Sequence, residues 1–143
     1  MSRADLLRYM RSHKLAVVGS AGIDGAPQAA LVGVAATDDL HIVFDTVSTS
    51  RKHGNFLRDS RASVTFSGPD EQTLQMEGHA ALVDGHAPSD ACYLAAYYEA
   101  WPDGRDRAKW PRIAYWRIVP AWIRYSDYER GPLIEEFRFD RTN

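Results

Sequence analysis

The sequence predicts an α+β protein built on an antiparallel β-barrel of six or seven strands, with two or three short helices beside it. Three observations point there. Asp24-Gly25 lies between two apolar runs, as in a hairpin, and ASVTFS (62–67) alternates strictly between apolar and hydroxyl side chains. The helical stretches are few and do not alternate regularly with strands, so a parallel βαβ sheet is not expected.

Taken in order, residues 3–12 carry Leu6, Leu7 and Met10 at helical spacing, which predicts a short amphipathic helix. LAVVGSA (15–21) reads as the first strand and PQAALVGVAA (27–36) as its partner, joined by a turn in which Asp24 and Gly25 both take positive φ. Thr37-Asp38-Asp39 turns the chain into LHIVFD (40–45), which completes a meander. A hydroxyl-rich loop then enters a helix over 49–59. After 62–67, Gly68-Pro69-Asp70 forms a turn into the long strand TLQMEGHAALVD (73–84). Pro88, Ser89 and Asp90 suit the first turn of a helix over 88–98. Trp101-Pro102-Asp103-Gly104 is read as a loop. RIAYWRIVPAWIRYS (112–126) is a last long strand, in which Pro120 needs a bulge or an edge, and LIEEFRF (133–139) is a final strand.

Length and composition bound the function. The 143 residues make one domain, 1–143, that is 45% hydrophobic and 25% charged, an ordinary globular balance. A net charge of -2 with no strongly basic end argues against a nucleic-acid partner. No stretch approaches the roughly 20 apolar residues of a membrane span, and the charged N-terminus is unlike a secretory signal. The single cysteine, Cys92, fits a reducing cytoplasm and is read as a small buried hydrophobe. Aromatic residues cluster between Tyr93 and Tyr128, more apolar area than one small barrel hides, which predicts a homodimer. The five histidines have no ligand spacing and no cysteine partner, so no metal site is expected. His53 is read as solvent-exposed, and Glu135-Glu136 as a solvated face.

Chemistry concentrates in FDTVSTSRKHGNF (44–56). Thr46, Ser48, Thr49 and Ser50 run into Arg51 and Lys52 where a helix should start. A helix N-terminus has unpaired N–H groups and a partial positive charge, hydroxyls add donors, and Arg can grip a phosphate by two parallel bonds. The segment therefore suits a phosphomonoester, or else simply caps a surface helix.

Together, LAVVGSAGIDGAPQAALVGV, FDTVSTSRKHGNFLRDSRASVTF, TLQMEGHAALV and AYWRIVPAWIRY resemble, in order and spacing, the pyridoxamine 5'-phosphate oxidase-like family. The resemblance covers the chain apart from an insert over 93–110. It implies a six-stranded split β-barrel, flavin mononucleotide (FMN) as cofactor, a homodimer with FMN at the seam, and redox chemistry on a small molecule. It assigns the FMN phosphate to Arg51 and Lys52 with Ser50, and the ribityl chain to Asp45 and Thr46. The strand Leu31, Val32, Gly33, Val34 would lie beneath the flavin ring and offer it backbone N–H groups, although Gly33 equally suits a thin strand in a crowded barrel. Thr73 or Gln75 would reach the flavin from the second subunit. Tyr125 takes the position of an aromatic at the cofactor, or else belongs to the core.

Two departures stand out. The oxidase carries basic residues where this chain has Ala29 and Val34, and its Arg/His-rich C-terminal motif is replaced by the acidic DYERGPLIEEF. Pyridoxamine phosphate is therefore not the expected substrate. Trp101 and Trp110 either roof the flavin or pack at the dimer seam. Three alternatives on the same fold remain open: a deazaflavin-dependent reductase, a haem-binding or haem-degrading protein, and a non-enzymatic flavin-binding stress protein.

Overall fold

The computed structural model describes residues 1–140. In chain order its elements are α1 (Arg3–Ser12), β1 (Leu15–Ala21), β2 (Pro27–Gly33), β3 (Ala35–Ala36), β4 (Ile42–Val47), α2 (Arg51–Arg58), β5 (Arg61–Ser67), β6 (Gln72–Leu82), α3 (Ala91–Ala100), α4 (Gly104–Arg107), β7 (Ile113–Asp127) and β8 (Leu133–Arg138). Every pairing is antiparallel, in the order β2-β1-β5-β6-β7-β4-β3, with β8 added to β7. β3 continues β2, so the two ends of that order are one strand path. Six strand paths thus curl into the split barrel that the sequence predicts.

The expected single strand over 27–36 breaks at Val34. There the path leaves β1 for β4, and the Val34 N–H turns aside to donate to the Lys14 carbonyl at 2.8 Å. The first hairpin also differs from expectation. β1 and β2 are joined by residues 22–26, the Gly22 N–H donates to the Ala26 carbonyl at 2.8 Å, and only Gly25 has positive φ, 85°. An Asp24 carboxylate oxygen accepts from the Ala26 N–H, so the turn closes without a left-handed Asp24. The predicted helix over 88–98 is a 3-10 turn, Pro88–Asp90, followed by α3, and the loop after Trp101 contains the short α4.

Pro120 sits at a bulge, as its missing N–H requires. Gly78 pairs with Pro120 and Glu77 with Trp122, leaving Ala121 without a partner on β6. On the other edge of β7, β4 stops at Ile118 and β8 starts at Trp122, so no ladder bond is asked of Pro120. Gly78 is required here, because a Cβ would collide with the Val119 carbonyl.

The alternation of β5 and β6 puts Val64, Phe66, Leu74 and Met76 inside the barrel with Phe44, Trp116, Ile118 and Ile123, and α1 plugs one end with Leu6, Tyr9 and Met10. Ser2 and Asp5 form a reciprocal capping box that starts α1. A second cluster forms outside the barrel, where Tyr93 and Tyr97 of α3 cover Ala35, Val43 and Val83. Much of the aromatic area expected at a dimer seam is therefore covered by the chain itself, because α3 folds back over β4. The same i, i+4 pair turns Cys92 outward, so this thiol is exposed rather than buried. Glu135 is half-buried and accepts from the N-terminal ammonium at 2.9 Å instead of lying in a solvated face. Among the described residues no helix is long and apolar enough to cross a membrane.

Candidate functional site

β4 delivers the hydroxyl loop to one side of the barrel, where the β2 edge and the β4–α2 corner face each other. Ser50 is the N-cap of α2. Its Oγ accepts from the His53 N–H at 3.3 Å and from the Thr46 hydroxyl at 2.8 Å. Arg51 and Lys52 are the first two helical residues, no acidic side chain occupies that turn, and among the described residues neither cation has an ion-pair partner. The positive end of α2 is therefore uncompensated.

These two side chains line a cleft of about 110 Å³ with Val18, Ser20, Gln28, Ala29 and Ala30. Burial lowers the Lys52 pKa, and the Asp45 carboxylate pulls it partly back. Across the cleft the position of α2 is set by Asn55, which is 4% exposed. Its amide donates to Ser20 Oγ at 2.9 Å and to Gln28 Oε1 at 2.8 Å, while its carbonyl accepts from Arg58 at 2.6 Å. Sequence reasoning missed this residue. The available signal was a poor helix former in mid-helix beside Phe56, where a tertiary partner is the usual reason.

His53 is half-buried rather than in solvent, because the Trp116 side chain reaches it from β7 and the indole donates to His53 Nδ1 at 3.0 Å. That contact requires an unprotonated Nδ1. Burial lowers the His53 pKa; it also lowers that of His41, where Asp39 opposes the shift and Arg117 and Arg3 add to it. A histidine with a depressed folded pKa takes up its proton more readily when unfolded, so its contribution is complete above the unfolded value of 6.5 and is lost as pH falls below it. The melting temperature is accordingly expected to drop between pH 7 and pH 5.5, and to drop less in His53→Gln, which still offers the indole an acceptor. Equal drops measured by circular dichroism contradict this role for His53.

The structure brings together Thr46, Ser50, Arg51 and Lys52. Asp45 stands beside them but is held by Arg107, whose Nε lies 2.8 Å from its carboxylate. Leu31 projects outward and is 65% exposed. Val32 is half-buried. Gly33 lies under the Trp101 ring, where a Cβ would come within 2.8 Å of that ring. Val34 is buried, and its N–H and carbonyl are both taken, by Lys14 and by Trp101 Nε1 at 2.9 Å. The expected row of N–H groups for a flavin ring therefore stops short of Val34. Trp101 packs on the β2–β3 bend of its own chain, while Trp110 is 54% exposed.

Gln75 belongs to the outer face that carries Leu31. The register Leu31–Val17–Thr65–Gln75 crosses β2, β1, β5 and β6, which separates the row's ends by about 14 Å at ordinary strand spacing. Gln75 is thus remote from the cleft of its own chain, and Thr73 lies two residues further along β6 on the same face. Tyr125 is 5% exposed and packs inside the barrel, edge to face with Tyr9 at 5.6 Å. It shares no surface with Arg51 and Leu31.

No curated protein matches the chain by sequence. Among solved structures it resembles a heme-binding protein from Mycobacterium smegmatis, with a TM-score of 0.80 and 16% identity. That alignment covers 96% of this chain but 58% of the other, so the chain spans well under two thirds of its neighbour's length. The General Stress Protein 26 from Bacillus anthracis aligns with a TM-score of 0.72 and 18% identity, covering 97% of this chain and 100% of that one. PhzG from Burkholderia lata, solved with tetrahydrophenazine-1-carboxylic acid, gives 0.71 and 18%, covering 98% and 87%. These likenesses establish the fold. Residues 4–127 match the sequence profile described as pyridoxamine 5'-phosphate oxidase, and the chain belongs to that family.

Proposed function

We propose that this chain is an FMN-binding flavoprotein, an oxidoreductase acting on a small molecule, which works as a homodimer with the cofactor at the seam. The observation that carries the proposal is the pair Arg51 and Lys52, two cations with no counter-ion among the described residues, at the open N-terminus of α2 beside a strand edge lined by alanines. A dianionic phosphate fits that donor set: two N–H groups of the first turn, the Ser50 hydroxyl, a guanidinium and an ammonium. Thr46 would border the ribityl chain, with the Asp45 carboxylate behind it. Leu31 to Gly33 would face the ring. Tyr125 keeps a core role, because it is enclosed by Tyr9 and its neighbours.

The homodimer is supported by the face left open. Leu15, Val17 and Leu31 are 55%, 39% and 65% exposed on adjacent strands, an apolar patch that a second copy would cover. Gln75 or Thr73 on that face would then approach the partner's flavin. When bound, the flavin supplies the electron or hydride transfer. The protein's part is to hold the phosphate, keep the ring against β2 and exclude water. One cysteine and no possible internal disulfide agree with a cytoplasmic location.

Flavin-free protein titrated with FMN and with riboflavin, followed by fluorescence quenching, tests the proposal. FMN is expected to bind more tightly by about a hundredfold or more, the contribution of the charge-assisted phosphate contacts. Equal affinities contradict the site. A Soret band on adding haemin, in a protein that binds neither flavin, would transfer the site to haem. Reduction of bound FMN by NADH or NADPH with turnover of an acceptor separates the enzyme from a flavin-binding stress protein.

A further inference from the structure

We infer that Ser20, on β1, is a further binding residue of the anion site: its hydroxyl is the neutral donor that meets the phosphate from the wall facing α2. The inference rests on the reading above that Arg51 and Lys52 bind a phosphate.

One buried amide decides where the hydroxyl proton goes. Arg58 donates from Nη2 to Asn55 Oδ1 at 2.6 Å, and from Nη1 to the Gly54 carbonyl at 3.2 Å. A guanidinium has no acceptor, so this contact fixes which side of the Asn55 amide is oxygen. The nitrogen side then faces β1 and β2, where Ser20 and Gln28 are paired across the strands. Its two protons go to Ser20 Oγ at 2.9 Å and to Gln28 Oε1 at 2.8 Å. Ser20 is therefore an acceptor toward Asn55, and its own proton has no acceptor among the described residues.

That proton has a place to go. Ser20 is half-buried and lines the cleft of about 110 Å³ together with Arg51, Lys52, Ala29 and Ala30. The volume equals about three or four waters, so a phosphate group seated there lies within reach of both walls. α2 supplies the two cations on one wall. On the other, Ser20 and Gln28 are the polar side chains. Gln28 is not aimed at the anion: its oxygen is taken by Asn55, and its amide nitrogen is turned to the hairpin, where a Cβ on Gly22 would meet it at 2.8 Å. The Ser20 hydroxyl is left. It also ends the line Arg58–Asn55–Ser20, and a hydroxyl that accepts one hydrogen bond donates a stronger one.

A Ser20 that served only as the acceptor of Asn55 would behave differently. Its loss would displace α2 with both cations, and the damage to FMN binding would fade at high salt, where those cations count for less. Loss of a neutral donor is felt equally at low and high salt.

The experiment titrates wild type, Ser20→Ala and Ser20→Thr with FMN and with riboflavin, at about 0.1 M and about 1 M salt. Ser20→Ala is expected to weaken FMN about tenfold at both salt concentrations, while riboflavin moves less than about threefold. Ser20→Thr keeps a hydroxyl and should stay within about threefold of wild type for FMN. If thermal melts show that the alanine variant does not fold, Ser20→Cys takes its place, since a thiol still accepts weakly from Asn55 and donates poorly. Unchanged FMN affinity in Ser20→Ala, equal losses for both flavins, a loss that fades at high salt, or a threonine variant as weak as the alanine one overturns the role of Ser20. A wild type that binds FMN no better than riboflavin overturns the phosphate reading beneath it, and with it this inference. That outcome is distinct from a wild type whose preference for FMN survives Ser20→Ala.

Discussion

Arg51→Ala/Lys52→Ala is expected to weaken FMN binding by about two orders of magnitude or more, with little change in the melting temperature. Each charge-assisted hydrogen bond contributes roughly 1.5–3 kcal/mol, and about 1.4 kcal/mol is a factor of ten in affinity. The two side chains share one phosphate, so their contributions do not simply add, and the lower end of the sum is the safer expectation. The fold has little to lose. Arg51 is exposed, Lys52 is half-buried, and neither is in an ion pair among the described residues. Alanine also favours the first turn of α2, and Ser50 remains to cap it. Fluorescence titration measures the affinity, and a melt in the absence of flavin measures the fold. Wild-type affinity in the double variant rejects the site.

Trp116→Ala should be the most damaging substitution of a single core side chain, with a loss of about 3–5 kcal/mol. Trp116 is 2% exposed, packs on Phe56 at 5.5 Å between ring centres, and donates to His53 at 3.0 Å. It joins β7 to α2, alongside the Asn55 contacts to Ser20 and Gln28. Its removal leaves a large cavity and an unsatisfied imidazole together, so α2 loses its seat and the phosphate site loses its geometry. For a chain of this length the melting temperature should fall by about 10 °C or more. Trp116→Phe keeps much of the packing and gives up the indole donor, so it should cost substantially less. Urea unfolding of the two variants separates packing from the hydrogen bond. Similar losses in both would place the effect in the hydrogen bond alone.

Periodicity and turn chemistry carried most of the fold. Strict alternation in β5, the apolar face of α1 and the bulge or edge that Pro120 requires are local properties, and local patterns can be read from a chain without knowing its partners. Some departures occurred where a distant partner decides; others, like the Asp24 turn, arose within a few residues. Val34 breaks a strand because Lys14 and Trp101 claim its backbone. Cys92 is exposed because Tyr93 and Tyr97 take the inner face of α3.

The candidate site divides in the same way. Ser50, Arg51 and Lys52 were legible because a cap and two cations at a helix start are contiguous in sequence. Asn55 and Arg107 were not. Asn55 acts through Ser20 and Gln28, 35 and 27 residues away, and Arg107 holds Asp45 at a separation of 62. Such pairings are products of the fold. The acidic DYERGPLIEEF segment, where the oxidase has a phosphate-gripping motif, ends in β8 along β7.

A crystal structure of the protein grown with FMN tests the central claim most directly. The phosphorus atom should lie at the N-terminus of α2, within hydrogen-bond reach of Ser50, Arg51 and Lys52, with the ring on β2 against a second copy of the chain. Flavin bound elsewhere on the barrel, or a cleft still vacant at saturating FMN, would contradict it.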